Sequence, residues 1–343
     1  MNTAKQKKFN YKTGQIVVAG ASAGGLNALT ALIQQLPGDF PAPVLIVQHI
    51  SNDATGNVLL DSLNKHGKLN CVHAVHGQLI ETGKVYLAPS DHHLMVEKNG
   101  QLHVTKGAQE NRSRPGIDPL FRSAAVAFGN RVTGILLTGY LDDGTAGLIA
   151  IQRCGGTCIV QDPDDADYPD MPKNALNQLK ADYCVPIAEM GGLFLKLAAK
   201  KPGKQKPIPK DIQREAKIAE RVLSDLASVN SLGEQVPFNC PGCGGVLWKM
   251  HKGPFKRYRC HTGHAYTEAS LLAAQTQKIE ETMWIALRMF EERRNLLTTI
   301  ASEKEGATSR SAAERAKLSQ VHINRIRAIL LADDKGTKSD LPI

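Results

Sequence analysis

The sequence predicts a doubly wound, mostly parallel α/β sheet of the Rossmann-like kind, followed by a cysteine–histidine knuckle module and a helical hairpin. Three observations carry this. Continuous β-branched and apolar runs recur at Ile16–Val18, at Val44–Val47 and at residues 131–137, with helical segments between them. A small-residue turn, G-A-S-A-G at residues 20–24, joins the first run to an amphipathic helix expected over Gly25–Leu36. A Lys/Pro-rich stretch, K-K-P-G-K-Q-K-P-I-P-K at residues 200–210, then breaks the pattern and reads as an exposed linker.

Runs of Val, Ile and Leu without alternation mark strands buried on both faces of a parallel sheet. In such a sheet ligands bind beyond the carboxyl ends of the strands, where the winding changes direction. Ser22 follows the first run, in a G-x-S-x-G turn that can lift a hydroxyl clear of the backbone at a helix N-terminus. There the unpaired helix N–H groups and the helix dipole favour an oxyanion. His49 closes the second run, and the third ends in T-G-Y-L-D-D-G at residues 138–144, which contains Asp143. Hydroxyl, imidazole and carboxylate are the set that nucleophilic acyl transfer requires.

Other uses of the turn fit less well. A dinucleotide site wants G-x-G-x-x-G and an acid at the end of the second strand; here Ser22 stands at the middle glycine and the strand ends in Gln48-His49. The chain order Ser, acid, His of the α/β-hydrolases finds no histidine between His103 and His251. A helix-capping role would account for Ser22 alone and a core role for His49 alone. The three together at matching strand ends point to a site.

Over residues 14–195 the sequence resembles the catalytic domain of the bacterial chemotaxis protein-glutamate methylesterases, the CheB type. The resemblance lies in G-A-S-A-G-G at 20–25, V-Q-H at 47–49, V-Y-L-A-P-S-D-H-H-L at 85–94, R-P-G-I-D-P-L-F-R-S at 114–123 and L-T-G-Y-L-D-D-G-T-A-G at 137–147. It implies Ser22 as nucleophile, His49 as base and Asp143, rather than the adjacent Asp142, as acid. It also implies glutamate methyl esters on the cytoplasmic helices of methyl-accepting chemotaxis receptors as substrate. Deamidation of receptor glutamines is the same acyl chemistry with ammonia leaving. No cofactor is expected for catalysis. Arg114 and Asp118, in the R-P-x-x-D block, are expected to line or brace the site, with His92 and His93 as rim or structure.

The sequence departs from the family in three places. Ala23 stands where a threonine often follows the nucleophile, which leaves a backbone N–H for the oxyanion. Tyr140-Leu141-Asp142 replaces Met-Gly-Asn or Met-Gly-Asp, so Tyr140 is expected to reshape the pocket rim. The first strand begins about a dozen residues into the chain, so a preceding receiver domain and control by phosphorylation in cis are not expected. The acidic stretch D-P-D-D-A-D-Y-P-D at 162–170 lacks the glycine of a calcium loop and reads as a solvated loop near the site.

Beyond the linker, an amphipathic helix is expected over Asp211–Leu226. C-P-G-C-G-G at 240–245 and C-H-T-G-H at 260–264 follow, with 16 residues between the two halves. Cys240, Cys243, Cys260 and His264 make a tetrahedral set suited to structural zinc, in a zinc-ribbon-like module. His264 is preferred to His261, because a ligand next to Cys260 is hard to aim at the same ion. Cysteine-rich tails of this kind also occur in family members without a receiver domain. Cys71, Cys154, Cys158 and Cys184 read as buried thiols. Two long helices are then expected, from Thr267 to about Ser302 with apolar Leu271, Met283, Leu287, Phe290, Leu297 and Ile300, and from a Ser311/Glu314 capping box to about Leu331. Self-association through this hairpin is a candidate use of its apolar stripe.

The expected division is an extension at 1–13, a catalytic domain at 14–199, a linker at 200–210, a helix with the zinc module at 211–266, a hairpin at 267–332 and a tail at 333–343. Charge divides along it. Residues 1–195 hold 16 Lys+Arg against 17 Asp+Glu, whereas residues 196–343 hold 26 against 16. The interleaved acids and few aromatics of the second half argue against nucleic acid and leave a solvated helical face, or a docking surface for acidic receptor helices, as the expected use. No apolar run reaches 18 residues and the N-terminus lacks a signal-like apolar core, so no membrane insertion and a cytoplasmic location are expected. The leading expectation is thus a serine methylesterase. An esterase or amidase with another substrate, or an interaction platform working through its basic tail, are the alternatives.

Overall fold

The computed structural model describes residues 9–11, 14–51, 53–200, 202–220, 229–251, 253 and 255–332. The chain divides into two compact units, Met1–Leu271 and Leu272–Ile343.

The first unit is built on β1 (Ile16–Ala21), β2 (Val44–Gln48), β3 (Asn70–His73), β4 (Lys84–Leu87), β7 (Val132–Leu136), β8 (Thr157–Gln161) and β9 (Tyr183–Val185). They form one parallel sheet in the order β3-β4-β2-β1-β7-β8-β9. Side chains alternate strictly between its faces, as period-2 geometry requires. Ile16, Val18, Leu45 and Val47 enter one core, with α3 (Ile117–Phe128), α4 (Thr145–Arg153) and α5 (Asp170–Gln178). Val17, Ala19, Val44 and Ile46 enter the other, with α1 (Gly25–Gln34), α2 (Asn57–His66) and α6 (Ile187–Ala199). A two-stranded hairpin, β5 (His93–Val96) with β6 (Leu102–Thr105), joins the first core. β1 lies between β2 and β7, and that is where the winding reverses. Cys71, Cys154 and Cys158 are buried as expected, but Cys184 is exposed because it lies on the edge strand β9.

After the linker, α7 covers Lys210–Glu220; the remainder of the helix expected to Leu226 lies outside the described residues. An antiparallel sheet follows, β10 (Gly233–Asn239), β11 (Val246–Met250), β12 (Arg257–Cys260) and β13 (Ala265–Thr267), in that order. This ribbon belongs to the same compact unit as the parallel sheet. A buried ionic cluster joins the two. Glu110 takes two bonds from Arg122 at 2.7 and 2.8 Å and one from Arg259 at 2.9 Å. Glu215 of α7 takes bonds from Arg257 at 2.6 and 3.1 Å and from Arg122 at 3.1 Å. Arg122 lies on α3, whereas Arg257 and Arg259 lie on β12.

α8 (Glu268–Glu303) and α9 (Gly306–Leu331) are the long helices. α9 begins at Gly306 rather than at the capping box, so Ser311 and Glu314 lie inside the helix; Gly306, with φ of 68°, makes the turn that any other residue would strain to make. Within the second unit Leu287, Leu297, Ala312 and Ile323 are buried, and Phe290 stacks on His322 at 5.0 Å. Trp284, Ile285, Met289, Leu296 and Leu318 are exposed. Among the described residues no helix is long and apolar enough to cross a membrane.

Burial raises the Glu215 carboxyl, but the Arg257, Arg122 and Arg259 charges outweigh it and hold the group well below its ordinary 4.5. The stabilisation is therefore full above that pH and is lost on acidification. Glu215→Ala leaves three guanidinium groups without their shared partner. It is expected to cost about 3–5 kcal/mol at neutral pH, read from urea unfolding, with the difference from wild type shrinking in acid.

Candidate active site

Ser22 sits directly beyond β1. Its N–H donates to the Thr138 carbonyl at 3.0 Å, and its carbonyl accepts from Gly25 N–H at 2.9 Å. Gly24, with φ of 76°, turns the chain into α1. Gly139 passes so close that a Cβ there would stand 2.7 Å from that of Ser22. The Gln48 side-chain amide donates to the carbonyls of Ser22 and His49 at 2.7 and 2.9 Å, which locks the two loops together.

The topology brings the three strand-end residues into one row. Ser22 Oγ lies 3.2 Å from His49 Nδ1, and His49 Nε2 lies 2.8 Å from Asp143 Oδ2. With its Nε2–H donated to Asp143, the imidazole turns the Nδ1 lone pair toward the serine. Ser113 Oγ stands 3.5 Å from the same nitrogen.

Asp143 is 2 % exposed. Besides His49, its carboxylate accepts from Ile117 N–H at 2.7 Å, Gly144 N–H at 2.9 Å, Asn111 Nδ2 at 3.1 Å and Asp118 N–H at 3.3 Å. Burial alone would raise its pKa; the His49 hydrogen bond and charge, then the Ile117 and Asn111 donors, bring it below the ordinary range. The amides of Ile117 and Asp118 belong to the first turn of α3, whose dipole favours the same charge. Asp118 goes the other way, raised well above its ordinary value by burial and then by the Asp143 charge. It accepts from Gly147 N–H at 2.6 Å and Asn111 Nδ2 at 3.0 Å. The pKa values of the two neighbouring carboxyls are thus pushed in opposite directions.

Arg114 does not touch the row. It binds Asp91 and the Gly107 carbonyl and braces the loop before α3. Buried His93 does similar work, accepting from Gly116 N–H at 3.1 Å and donating to the Ala108 carbonyl at 2.9 Å. Tyr140 is exposed and meets the Tyr168 ring edge-on at 4.7 Å. Ala23 is the residue after the serine, and its carbonyl accepts from Thr138 Oγ1 at 3.0 Å. Asn111, Ser113 and Gln48 are absent from the sequence-derived site. Asn111 has φ of 49°, a conformation that asparagine tolerates better than most residues, and that tolerance was the one available signal in E-N-R-S-R-P.

In the ribbon, the ligand atoms of Cys240, Cys243, Cys260 and His264 all lie within 4.8 Å of one another. Cys243 Sγ to Cys260 Sγ is 3.7 Å, and Cys260 Sγ to His264 Nδ1 is 3.5 Å. A tetrahedral zinc with Zn–S bonds of about 2.3 Å sets sulfurs about 3.8 Å apart, so the donor set fits. The hydrogen bond from Cys260 outweighs burial and lowers the Cys240 thiol to about 7, toward the thiolate a metal needs.

A serine, a histidine and an aspartate aligned over the switch point of a doubly wound sheet are the arrangement of an α/β ester hydrolase. The chain belongs to the CheB methylesterase family, whose model matches residues 17–194. It is 36% identical over 189 residues to a putative protein-glutamate methylesterase/protein-glutamine glutaminase of Leptospira interrogans, covering 55% of this chain and 96% of that protein. It is 37% identical over 176 residues to protein-glutamate methylesterase/protein-glutamine glutaminase 2 of Anaeromyxobacter dehalogenans, covering 51% of each. The chain therefore spans nearly all of the first relative and about half of the second. The crystal structure of the Thermotoga maritima CheB methylesterase catalytic domain superposes with a TM-score of 0.52 at 33% identity, over 54% of this chain and 99% of that one.

Asp142 yields a prediction. Burial raises its carboxyl to about 6, against a hydrogen bond from Thr267 that lowers it; the Asp143 charge adds to the rise. A carboxyl raised from 3.8 disfavours the folded state once ionised, so the cost is full above about pH 6 and vanishes as pH falls below 4. Asp142→Asn should stabilise the protein by up to about 3 kcal/mol at pH 7.5 and by nothing measurable near pH 3.5, read from paired urea curves.

Proposed function

We propose that this protein is a serine esterase that removes methyl groups from glutamate γ-methyl esters on methyl-accepting chemotaxis receptors. The observation that carries the reading is the Ser22–His49–Asp143 row, with 3.2 and 2.8 Å contacts, within the stretch that matches the methylesterase family. Ser22 Oγ attacks the ester carbonyl as His49 Nδ1 takes its proton. Asp143 holds the ring through Nε2–H and stabilises the imidazolium that forms. The Ala23 amide and the N-terminus of α1 receive the oxyanion; a lost donor of this kind typically costs about 3–4 kcal/mol in the barrier. His49 returns its proton to the departing methanol. Water then repeats the attack on the acyl-enzyme and frees the glutamate and the serine.

The names of the relatives support glutamine deamidation as a second reaction of the same site. Exposed Tyr140 forms part of the rim that meets the substrate helix. In this reading the enzyme works in the cytoplasm, where the receptor helices lie, and the exposed apolar residues of the α8–α9 hairpin offer a face for self-association. Cys240, Cys243, Cys260 and His264 hold a structural zinc, which cross-links β12 to the turn after β10 and takes no part in the ester chemistry.

Methanol release from a methylated receptor fragment tests the reading. Ser22→Ala is expected to reduce kcat by about a thousandfold or more, and a wild type that releases no methanol would overturn the substrate assignment. Metal analysis should find one zinc per chain. Cys260→Ser should lose that zinc and melt at lower temperature than wild type.

A further inference from the structure

We infer that Asn111 is a positioning residue through which the C-terminal ribbon holds the Asp143 carboxylate in place. The inference rests on the reading of Asp143 as the acid of the esterase. Asn111 is buried, and its side-chain amide is used at both ends. The nitrogen donates to Asp143 Oδ1 at 3.1 Å and to Asp118 Oδ2 at 3.0 Å. The oxygen accepts from Thr267 N–H at 3.2 Å, the last residue of β13, and from Ser270 Oγ at 3.2 Å. An amide offers two donors and two acceptor sites, and all four are filled here. Turning it over would set donor against donor on the ribbon side, so the ribbon fixes which end faces Asp143.

The surrounding backbone makes the same link. Asn111 N–H donates to the Ala265 carbonyl at 2.8 Å, and Glu110 forms a bridge with Ala265. Glu110 itself is clamped between Arg122 of the catalytic domain and Arg259 of the ribbon. Ala265 follows His264, so the strand that orients Asn111 grows directly out of the cysteine–histidine cluster. A catalytic loop and an appended ribbon thus share one polar core around a single carboxylate.

The test uses full-length protein and the rate at which a fluorophosphonate acylates Ser22, which reports serine reactivity whatever the natural ester is. Methanol release supplies kcat and KM in parallel. Asn111→Gly removes the amide while accepting the φ of 49° without strain. It is expected to slow Ser22 labelling and to lower kcat about tenfold or more with KM unchanged, the size of one hydrogen bond to a charged group. Ser270→Ala, which touches no member of the row, should slow labelling about threefold. The double variant should be no slower than Asn111→Gly alone, because both lie on one path.

Asn111→Gly that labels at the wild-type rate overturns the inference. So do single-variant effects that multiply in the double variant, since the ribbon would then act by another route. If Asn111→Gly does not fold by circular dichroism, Ser270→Ala decides alone, and wild-type labelling there overturns the link. Labelling that depends on Asn111 in a protein releasing no methanol upholds the link and rejects only the substrate. Wild-type Ser22 that does not label rejects both.

Discussion

One ionised carboxylate placed out of water governs the architecture around it. Isolated burial of such a charge is prohibitive, and the group would take up a proton instead. At Asp143 that outcome is prevented by donors drawn from His49, Ile117, Gly144, Asn111 and Asp118. Each donor comes with a structural demand: β2 must end beside β1, α3 must begin at Ile117, and the loop before it must fold inward. The raised pKa of Asp118 is the other side of the same arrangement, since burial and the adjacent Asp143 charge both disfavour a second charge there.

That inward loop explains why the ribbon belongs to the body of the enzyme. A segment bearing Glu110 and Asn111 on its buried side cannot stand alone against solvent. It is backed by arginines and backbone groups of the ribbon, and the ionic cluster fixes the spacing. Buried ion pairs add little net stability compared with apolar packing, but they tolerate few alternative arrangements. Here that means one register between β13 and the catalytic loop. The pattern suits a module whose role is placement more than bulk.

Much of this was legible in the residues. Continuous Val/Ile/Leu runs located β1, β2 and β7, because strands covered on both faces have no polar side to hide them. Ser22, His49 and Asp143 could be grouped because sheet topology, not sequence distance, decides what meets at a switch point. The knuckle spacing marked Cys240, Cys243, Cys260 and His264 for the same reason: two tight turns carry most of the geometry. Asn111 was out of reach. An asparagine in a polar loop looks solvated, and only the fold reveals that its partners lie in a strand far along the chain. The start of α9 was misplaced because a capping box is a local preference, and the glycine five residues earlier had already set the turn. Cys184 looked buried because an apolar neighbourhood does not distinguish an edge strand from a central one.

The separation of Asn111 from Ser270, 159 residues, also has a meaning in time. Chains emerge from the ribosome at about 5–20 residues per second, so the loop waits about 8 to 30 s for the strand and helix that anchor it. Through that interval the parallel sheet can already have formed and Ser22 can already face His49, while the Asn111 amide beside Asp143 lacks the groups that orient it. Synthesis of the segment from Asn111 to Ser270 thus sets when the support is complete, and a nascent chain carries an unfinished site until Ser270 has been made.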